Sequence, residues 1–173
     1  MTNVVHAEKL TCAETKLPLE SEEEQVEILP KRAAVCVREG KPGRAIVLMT
    51  QLIRHKPTDA VAYLNRGSAQ AAVGEMALAI SDYTTALRLK PDLVEAWYNR
   101  GTTFSHLRRY EKAINDFTEA IRLRPGFALA HCNRAFAYFQ LGEYDRALDD
   151  YSAGIEHKTR RNYCHLNRGP RRL

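Results

Sequence analysis

Apolar residues recur along most of this chain at helical spacing, in pairs of short runs that are separated by a turn. The paired runs fall into four consecutive segments of 34 residues: 26–59, 60–93, 94–127 and 128–161. Near the middle of three segments lies a glycine, a residue that favours a turn: Gly40, Gly74 and Gly142. The pattern therefore predicts an all-α chain in which each segment is one helical hairpin.

Small and large residues also recur at fixed places in these segments. Small residues occupy positions where two helices must approach closely: Gly67, Gly101, Ala135, Ala79, Ala113 and Ala147. An aromatic residue occupies a facing position: Tyr83, Phe117 and Tyr151. Proline, which has no amide hydrogen and ends a helix, recurs at the junctions: Pro57, Pro91 and Pro125. The same small-into-large packing is therefore expected in each hairpin.

The third segment carries the most complete set of these residues: Trp97, Gly101, Phe104, Tyr110, Ala113, Phe117, Ala120 and Pro125. At these offsets the sequence resembles the tetratricopeptide repeat (TPR) family. The first segment is degenerate, with Leu29, Pro42 and Met49 at family positions. The resemblance implies a right-handed α-solenoid whose concave surface is lined by the first helix of each repeat. We expect the function to lie on that surface.

The two ends of the chain differ from the four repeats. Residues 1–25 are rich in Glu, and we expect a mostly disordered acidic arm. Pro30 predicts that the first helix starts late or is kinked. Residues 162–173 begin a fifth repeat that stops at Pro170, with no polar capping helix after it. We expect either a fragment or isoform of a longer TPR protein, or a last repeat that a partner covers.

An asparagine lies at the same place in the first helix of each repeat: Asn65, Asn99, Asn133 and Asn167. Asparagine is a mediocre helix former, but its amide both donates and accepts hydrogen bonds and can pair with an extended peptide backbone. The series looks like the asparagine ladder in the repeat domain of the O-linked N-acetylglucosamine transferase family. The alternative is that the amides are solvated or bonded locally between helices.

Six further residues are candidates for contact with the side chains of such a peptide. Four are apolar or aromatic and two are polar: Leu64, Tyr98, Phe136, Phe139, His106 and Gln140. Packing between helices is the alternative role for them. The sequence thus predicts a non-catalytic adaptor or scaffold that binds an extended peptide segment of a protein partner in the concave groove.

Some TPR proteins bind the acidic tails of chaperones through a two-carboxylate clamp. In the family that this chain resembles, the clamp requires Lys and Asn in one repeat, Asn in the next repeat, and Lys and Arg in the third. Starting from the first repeat, Pro30 and Ala34 replace the first pair, and Glu95 and Asn99 replace the last. Only the middle Asn65 is kept, so we do not expect this chain to capture a chaperone terminus.

Matched basic and acidic series follow the asparagines. An arginine comes directly after each one: Arg66, Arg100, Arg134 and Arg168. The second helices carry a carboxylate at one fixed position: Asp82, Asp116 and Asp150. We expect these residues to form structural ion pairs, either within a repeat or from one Asp to the Arg of the next repeat.

The charge is divided unevenly along the chain, whose formal net charge is +5. Residues 1–30 have a net charge of −5, and the remainder has a net charge of +10. The last residues are basic without an acidic counterpart: Lys158, Arg160, Arg161, Arg168, Arg171 and Arg172. A second interpretation is therefore a basic surface that binds nucleic acid or an acidic protein through this tail.

Several functional classes have no support in the sequence. There is no phosphate-binding loop, G-x-S-x-G motif or H-E-x-x-H motif, so we expect neither an enzyme nor a cofactor. His131, Cys132, Cys164 and His165 are zinc-type ligands, but neighbours on a helix point about 100° apart and no metal site is expected. No apolar run approaches the roughly 20 residues of a membrane span.

The cysteines bear on the compartment. Cys12, Cys36, Cys132 and Cys164 are scattered without a C-x-x-C pair, and the first 20 residues carry glutamates where a signal peptide would be apolar. We therefore expect four thiols in a reducing compartment, the cytoplasm or the nucleus.

Overall fold

The structure is a computed structural model that describes the backbone of residues 22–166 and the side chains of residues 26–157. This part of the chain contains eight helices and no strand: α1 (Glu22–Arg38), α2 (Pro42–His55), α3 (Ala60–Ala72), α4 (Met76–Leu89), α5 (Val94–His106), α6 (Tyr110–Leu123), α7 (Ala128–Gln140) and α8 (Tyr144–Leu166). None of these helices is long and apolar enough to cross a bilayer. Asn167, Arg168 and the predicted arm before Glu22 lie outside the described residues.

The chain divides into two compact units, Met1–Leu89 and Lys90–Leu173. In the first unit each of the helices α1 to α4 packs against the next one along the chain. The second unit repeats this arrangement with α5 to α8, and α5 also contacts α7. Each unit therefore consists of helical hairpins that are stacked in sequence order.

The turn inside each hairpin has one residue in the left-handed region, where a Cβ is unfavourable. The four residues are Gly40, Gly74, Arg108 and Gly142, with φ angles of 71°, 87°, 57° and 79°. A different device starts the second repeat, where the Asp59 carboxylate accepts hydrogen bonds from the amides of Val61 and Ala62. Such a cap stabilises the first turn of a helix. Local turn and cap chemistry thus defines the ends of these helices.

Small residues face large ones in the second and third hairpins. A Cβ added to Gly101 would lie 2.9 Å from Phe117 Cε1, and one added to Gly67 would lie 2.9 Å from Tyr83 Cε1. Both rings are buried, Phe117 completely. The fourth hairpin has Ala135 at the glycine position, and its facing Tyr151 is 37% exposed. The aromatic ring is therefore packed most tightly where the facing residue lacks a Cβ.

The first hairpin differs from the sequence predictions in two respects. α1 begins at Glu22 and continues through Pro30, so the expected late start is wrong. Leu29 before the proline and Ala33 and Cys36 after it pack in the apolar core of this hairpin together with Met49 of α2, which supports the helix on both sides of Pro30. Cys36 is completely buried and disulfide-bonded. The prediction of four thiols is therefore also wrong, because the spacing of cysteines along a chain does not show which of them form a disulfide. Cys132 is a free thiol.

The last helix is longer than its counterparts. α8 has 23 residues, whereas α2, α4 and α6 have 14 each. It does not end before Asn162, where we expected a fifth repeat to begin. The physical reason lies at Thr159, because the other second helices end two residues before a proline and Thr159 permits a helix to continue.

One face of α8 is apolar and exposed to solvent. Leu148 and Ile155 are 67% and 65% exposed, whereas their counterparts Ile114 and Ile121 on α6 are half-buried. We therefore expect backbone amides in residues 145–157 to exchange with deuterium at least about tenfold faster than those of α3 to α6. Hydrogen exchange measured by mass spectrometry tests this, and uniform protection through α8 would contradict it.

Candidate protein-interaction surface

A buried ion pair joins the two helices of each of the last three hairpins. Arg66 pairs with Asp82, Arg100 with Asp116, and Arg134 with Asp150. Each pair has two N–H···O hydrogen bonds of 2.7–2.8 Å between a guanidinium and a carboxylate. Of the two arrangements that the sequence left open, the structure has the pairing within a repeat.

Two of these arginines also contact the preceding hairpin, and the third contacts a residue of its own helix. Arg66 donates to Thr50 Oγ1 at 3.3 Å, and Arg134 donates to Thr118 Oγ1 at 3.0 Å. Arg100 lies over the Trp97 ring, with its guanidinium carbon 4.9 Å from the ring centroid. The contacts of Arg66 and Arg134 help to hold α3 and α7, and with them Asn65 and Asn133, against the preceding hairpin.

The carboxylates of the third and fourth hairpins have different environments. Burial raises the pKa of Asp116 above its ordinary value, against the lowering by hydrogen bonds from Arg100. Burial also raises the pKa of Asp150, but hydrogen bonds from Arg134 and His131 together bring it below the ordinary value. Ionised Asp150 thus contributes stability above its unfolded pKa of about 3.8, which is lost as the pH falls through the lower folded pKa.

His131 has a structural role that the sequence reading missed. Trp97 Nε1 donates to the Pro91 carbonyl oxygen at 2.8 Å, and His131 Nε2 lies 3.0 Å from the equivalent Pro125 oxygen. The other ring nitrogen, Nδ1, is 3.2 Å from Asp150 Oδ1. Protein acceptors therefore face both nitrogens that we considered as zinc ligands. The signal was available in the 34-residue register that aligns His131 with Trp97.

The three described asparagines lie at the same place on α3, α5 and α7. Asn65 is exposed, and Asn99 and Asn133 are half-buried. Asn133 Nδ2 donates a hydrogen bond of 3.0 Å to the hydroxyl of Tyr98, which lies on α5. This is a local bond between neighbouring first helices, and it uses one of the two N–H groups of the Asn133 amide.

The other candidate contact residues divide into buried and exposed ones. Leu64 is buried, because α3 packs against both α2 and α4, which favours the alternative role of packing between helices. Tyr98 is half-buried, with its ring centroid 5.9 Å from that of Phe117 and 4.8 Å from that of Phe127. The remaining four are exposed: His106, Phe136, Phe139 and Gln140.

Three of these residues share one face of α7. Asn133, Phe136 and Gln140 are separated by three and four positions, the spacing of neighbours on a helix surface. The Phe136 ring packs edge-on against Tyr110, with centroids 6.4 Å apart, and still has 44% of its surface exposed. This face therefore combines a hydrogen-bonding amide with an accessible aromatic ring.

A small cavity lies beside Asn65 in the first unit. Its volume is about 260 Å³, and its lining is mainly apolar: Pro30, Ala33, Ala34, Val37, Ala45, Met49, Asn65 and Ser68. Two of these residues are smaller than their counterparts in other repeats, since Ala34 aligns with Phe136 and Met49 aligns with Phe117. The degenerate first repeat thus leaves space for an apolar side chain, a feature that the sequence reading missed.

Comparison with known proteins identifies the family. Models of the tetratricopeptide repeat match residues 37–94, 94–127 and 128–158. The chain belongs to the tetratricopeptide repeat family. Its fold is that of a protein-interaction scaffold, a class that is in general non-catalytic. No curated protein matches the sequence.

Solved structures support the same family. Two crystal structures of MamA are each 26% identical to this chain. The first has a TM-score of 0.77, and the match covers 82% of this chain and 83% of that protein. The second has a TM-score of 0.73, and the match covers 82% of this chain and 78% of that protein. The first TPR of Spaghetti (RPAP3), bound to the HSP90 peptide SRMEEVD, is 24% identical, with a TM-score of 0.67 over 69% of this chain and 94% of its own. The predicted fold class, an all-α chain of TPR helical hairpins, is confirmed.

Proposed function

We propose that this chain is a non-catalytic adaptor that binds an extended peptide segment of a partner protein along its first helices. The observation that carries this proposal is the repeated position of Asn65, Asn99 and Asn133, which lie at one place on α3, α5 and α7. Each amide can donate to a backbone carbonyl and accept from a backbone N–H of the ligand. The binding would then depend little on the ligand sequence.

The environment of Asn133 favours this role. Its hydrogen bond to the Tyr98 hydroxyl restricts the rotation of the amide before a ligand arrives. Two phenylalanine rings, Phe117 and Phe127, restrict the ring of Tyr98 in turn. Such preorganisation lowers the entropy cost of binding. The remaining N–H group and the oxygen of the Asn133 amide are chemically suited to a peptide backbone.

Side-chain preference would come from two places, one in each unit. In the second unit Phe136 and Phe139, which are 44% and 51% exposed, offer aromatic surface to an apolar ligand residue. In the first unit the cavity of about 260 Å³ beside Asn65 has room for one apolar side chain. A peptide that carries apolar residues is therefore the expected ligand class.

The expected affinity is modest. If each of the three amides makes two hydrogen bonds worth roughly 0.5–1.5 kcal/mol net, together they contribute roughly 3–9 kcal/mol. Ordering a flexible peptide costs roughly 2–5 kcal/mol or more. We therefore expect dissociation constants in the micromolar range or weaker.

The RPAP3 neighbour binds an HSP90 peptide, which supports a peptide as the ligand class. The present chain keeps only the middle Asn65 of the clamp, and Glu95 replaces one of its lysines. Glu95 pairs with Arg124, and a carboxylate at this place does not supply the positive charge that an acidic terminus requires. The peptide SRMEEVD is thus a useful negative control, and we expect it to bind no better than a scrambled peptide.

The test uses peptides selected on the wild-type chain from a random library, with affinities measured by fluorescence anisotropy. We expect Asn65→Ala/Asn99→Ala/Asn133→Ala to weaken binding at least about tenfold for peptides of unrelated sequence, because the lost bonds are to the ligand backbone. Asn115→Ala, an exposed asparagine on the second helix α6, is the matched control. Circular dichroism checks that all variants are equally folded.

Two results would place the binding element outside the asparagine series. Unchanged affinity in the triple variant would exclude the asparagine series as the binding element. If affinity also falls steeply with salt concentration, and is lost when Arg168, Arg171 and Arg172 are replaced by glutamine, the basic tail is the binding element.

A further inference from the structure

The turn between α5 and α6 has an arginine where the other hairpins have a glycine. Arg108 has a φ angle of 57° and is the only non-glycine residue with positive φ in the described part of the chain. Its counterparts at the 34-residue spacing are Gly40, Gly74 and Gly142. A side chain with a Cβ is disfavoured in this conformation, whereas glycine adopts it freely.

The backbone of the Arg108 turn has the same geometry as the three turns that have glycine. Its amide donates to the Ser105 carbonyl at 2.9 Å, and the Arg109 amide donates to the Phe104 carbonyl at 2.9 Å. The other three turns have the same two hydrogen bonds, at distances of 2.8–3.1 Å. This pattern is the helix-ending motif that usually has glycine at its left-handed position. A glycine would therefore serve the backbone of this turn equally well, and a reason for arginine must lie in its side chain.

No partner within the described part of the chain accounts for that side chain. Arg108 and Arg109 are both exposed, and neither has a carboxylate oxygen within 4.0 Å among the described residues. All other arginines in the described range of the second unit pair with Asp or Glu: Arg100, Arg122, Arg124, Arg134 and Arg146. Both arginines are thus accessible to a ligand.

The charge of this turn is the reverse of that in the neighbouring repeats. Arg109 aligns with Glu75 in the second repeat and with Glu143 in the fourth. Residues 106–112 have a formal net charge of +2, whereas residues 72–78 and 140–146 each have −1. His106 on α5 and Lys112 on α6 flank the two arginines and add further cationic or hydrogen-bonding capacity. Residues 38–44 of the first hairpin also have a formal net charge of +2, but that turn has Gly40 and Lys41 where this one has Arg108 and Arg109, and Lys41 pairs with Glu39. The α5–α6 turn differs in having two adjacent arginines without a carboxylate partner among the described residues.

We propose that the α5–α6 turn is a docking site for an acidic segment of a partner protein, whose carboxylates pair with the guanidinium groups of Arg108 and Arg109. Strained backbone conformations persist where the residue serves a function, and here the strain places a charge at the tip of the turn. The guanidinium fork suits carboxylates because it donates two parallel hydrogen bonds. This site does not depend on the asparagine series, which lies at a different place on α5.

The test uses the full chain and a fluorescent ten-residue peptide of alternating Glu and Ser, with a Gln-for-Glu peptide as the uncharged probe. Anisotropy is measured at 50 mM and 300 mM salt. We expect the acidic peptide to bind more tightly than its uncharged counterpart, and less tightly at high salt. Arg108→Gly/Arg109→Gln should weaken binding of the acidic peptide about fivefold or more. Arg88→Gln, which removes one exposed charge from α4, should change it by less than about twofold.

A second measurement checks the strain separately. Arg108→Gly alone should raise the Tm by about 2–4 °C, because glycine adopts the left-handed conformation without a steric penalty. A gain in stability together with a loss of peptide binding is the result expected of a site that retains arginine for its ligand. An unchanged or lower Tm would show that the arginine is not strained and would remove the main reason for the proposal.

Three outcomes of the binding experiments decide whether the α5–α6 turn is a separate site for acidic peptides. Unchanged binding of the acidic peptide in the double variant would overturn the proposal. Binding of a ten-nucleotide single-stranded RNA, with no binding of the acidic peptide, would also overturn it and identify a nucleic-acid site. Retained binding of the acidic peptide in Asn65→Ala/Asn99→Ala/Asn133→Ala would support a site that is separate from the proposed peptide groove.

Discussion

Replacing Asp116 with alanine is expected to lower the free energy of unfolding by about 3–5 kcal/mol. Asp116 accepts two hydrogen bonds from Arg100, and the side chains of the two residues are only 5% and 16% exposed. Without the carboxylate, the charge of Arg100 stays in a mostly buried place without its main partner. This uncompensated charge, rather than the lost attraction alone, is the physical reason for the large effect.

The matched control for this variant is Glu119→Ala on the same helix. Glu119 pairs with Arg122, but both side chains are more than one third exposed. Solvent screens such pairs, and we expect a change within about 0.5 kcal/mol. Urea denaturation followed by circular dichroism measures both variants. Equal losses in the two variants would show that burial does not decide the strength of these ion pairs.

Replacing Phe117 with alanine is expected to cost about 3–5 kcal/mol, as is usual for a large aromatic residue in a packed core. The Phe117 side chain is completely buried, packs against Tyr98, and lies against the Cα of Gly101. Its removal leaves a cavity that the two helices can close only in part. Thermal and urea unfolding of the variant measure the loss.

The equivalent residue in the fourth hairpin, Tyr151, is the control. It is 37% exposed, so Tyr151→Ala should cost about 1 kcal/mol. A double variant tests the contact itself. Gly101→Ala should destabilise the wild type, whose Phe117 ring lies too close for a Cβ, more than it destabilises the Phe117→Ala variant, in which only the Asp116 Cβ stays close, at 3.1 Å. Additive effects of the two substitutions would contradict the proposed close packing of Gly101 and Phe117.

The ion pairs show which contacts at the interaction surface could be predicted from the sequence alone. The matched spacing of Arg66 and Asp82, repeated in the next two repeats, was sufficient to expect a pairing. It did not decide between a partner in the same repeat and one in the next, because both choices satisfy the same period. The structure has the partner 16 residues later in each case.

The sequence alone could not predict how deeply the candidate ligand-contacting residues are buried. For Leu64 the sequence left open ligand contact and packing between helices, and the residue is buried; Tyr98 supports Asn133 through its hydroxyl. Helical periodicity places a residue on one side of its own helix, but not at a given distance from the next helix. Whether Asn65, Asn99 and Asn133 bind a peptide remains a prediction for the triple variant.

The 34-residue period by itself determined that the chain is all-α, that its units are helical hairpins, and that it belongs with the tetratricopeptide repeats. It could do so because helix formation, turns and small-into-large packing depend on residues within one hairpin or its neighbour. Only the tertiary structure decided which Arg meets which Asp, that His131 bridges Pro125 and Asp150, and that Arg108 is held at positive φ without a carboxylate partner among the described residues. These features depend on distances between helices and on solvent exposure, which arise when the hairpins pack and are not encoded in any single repeat.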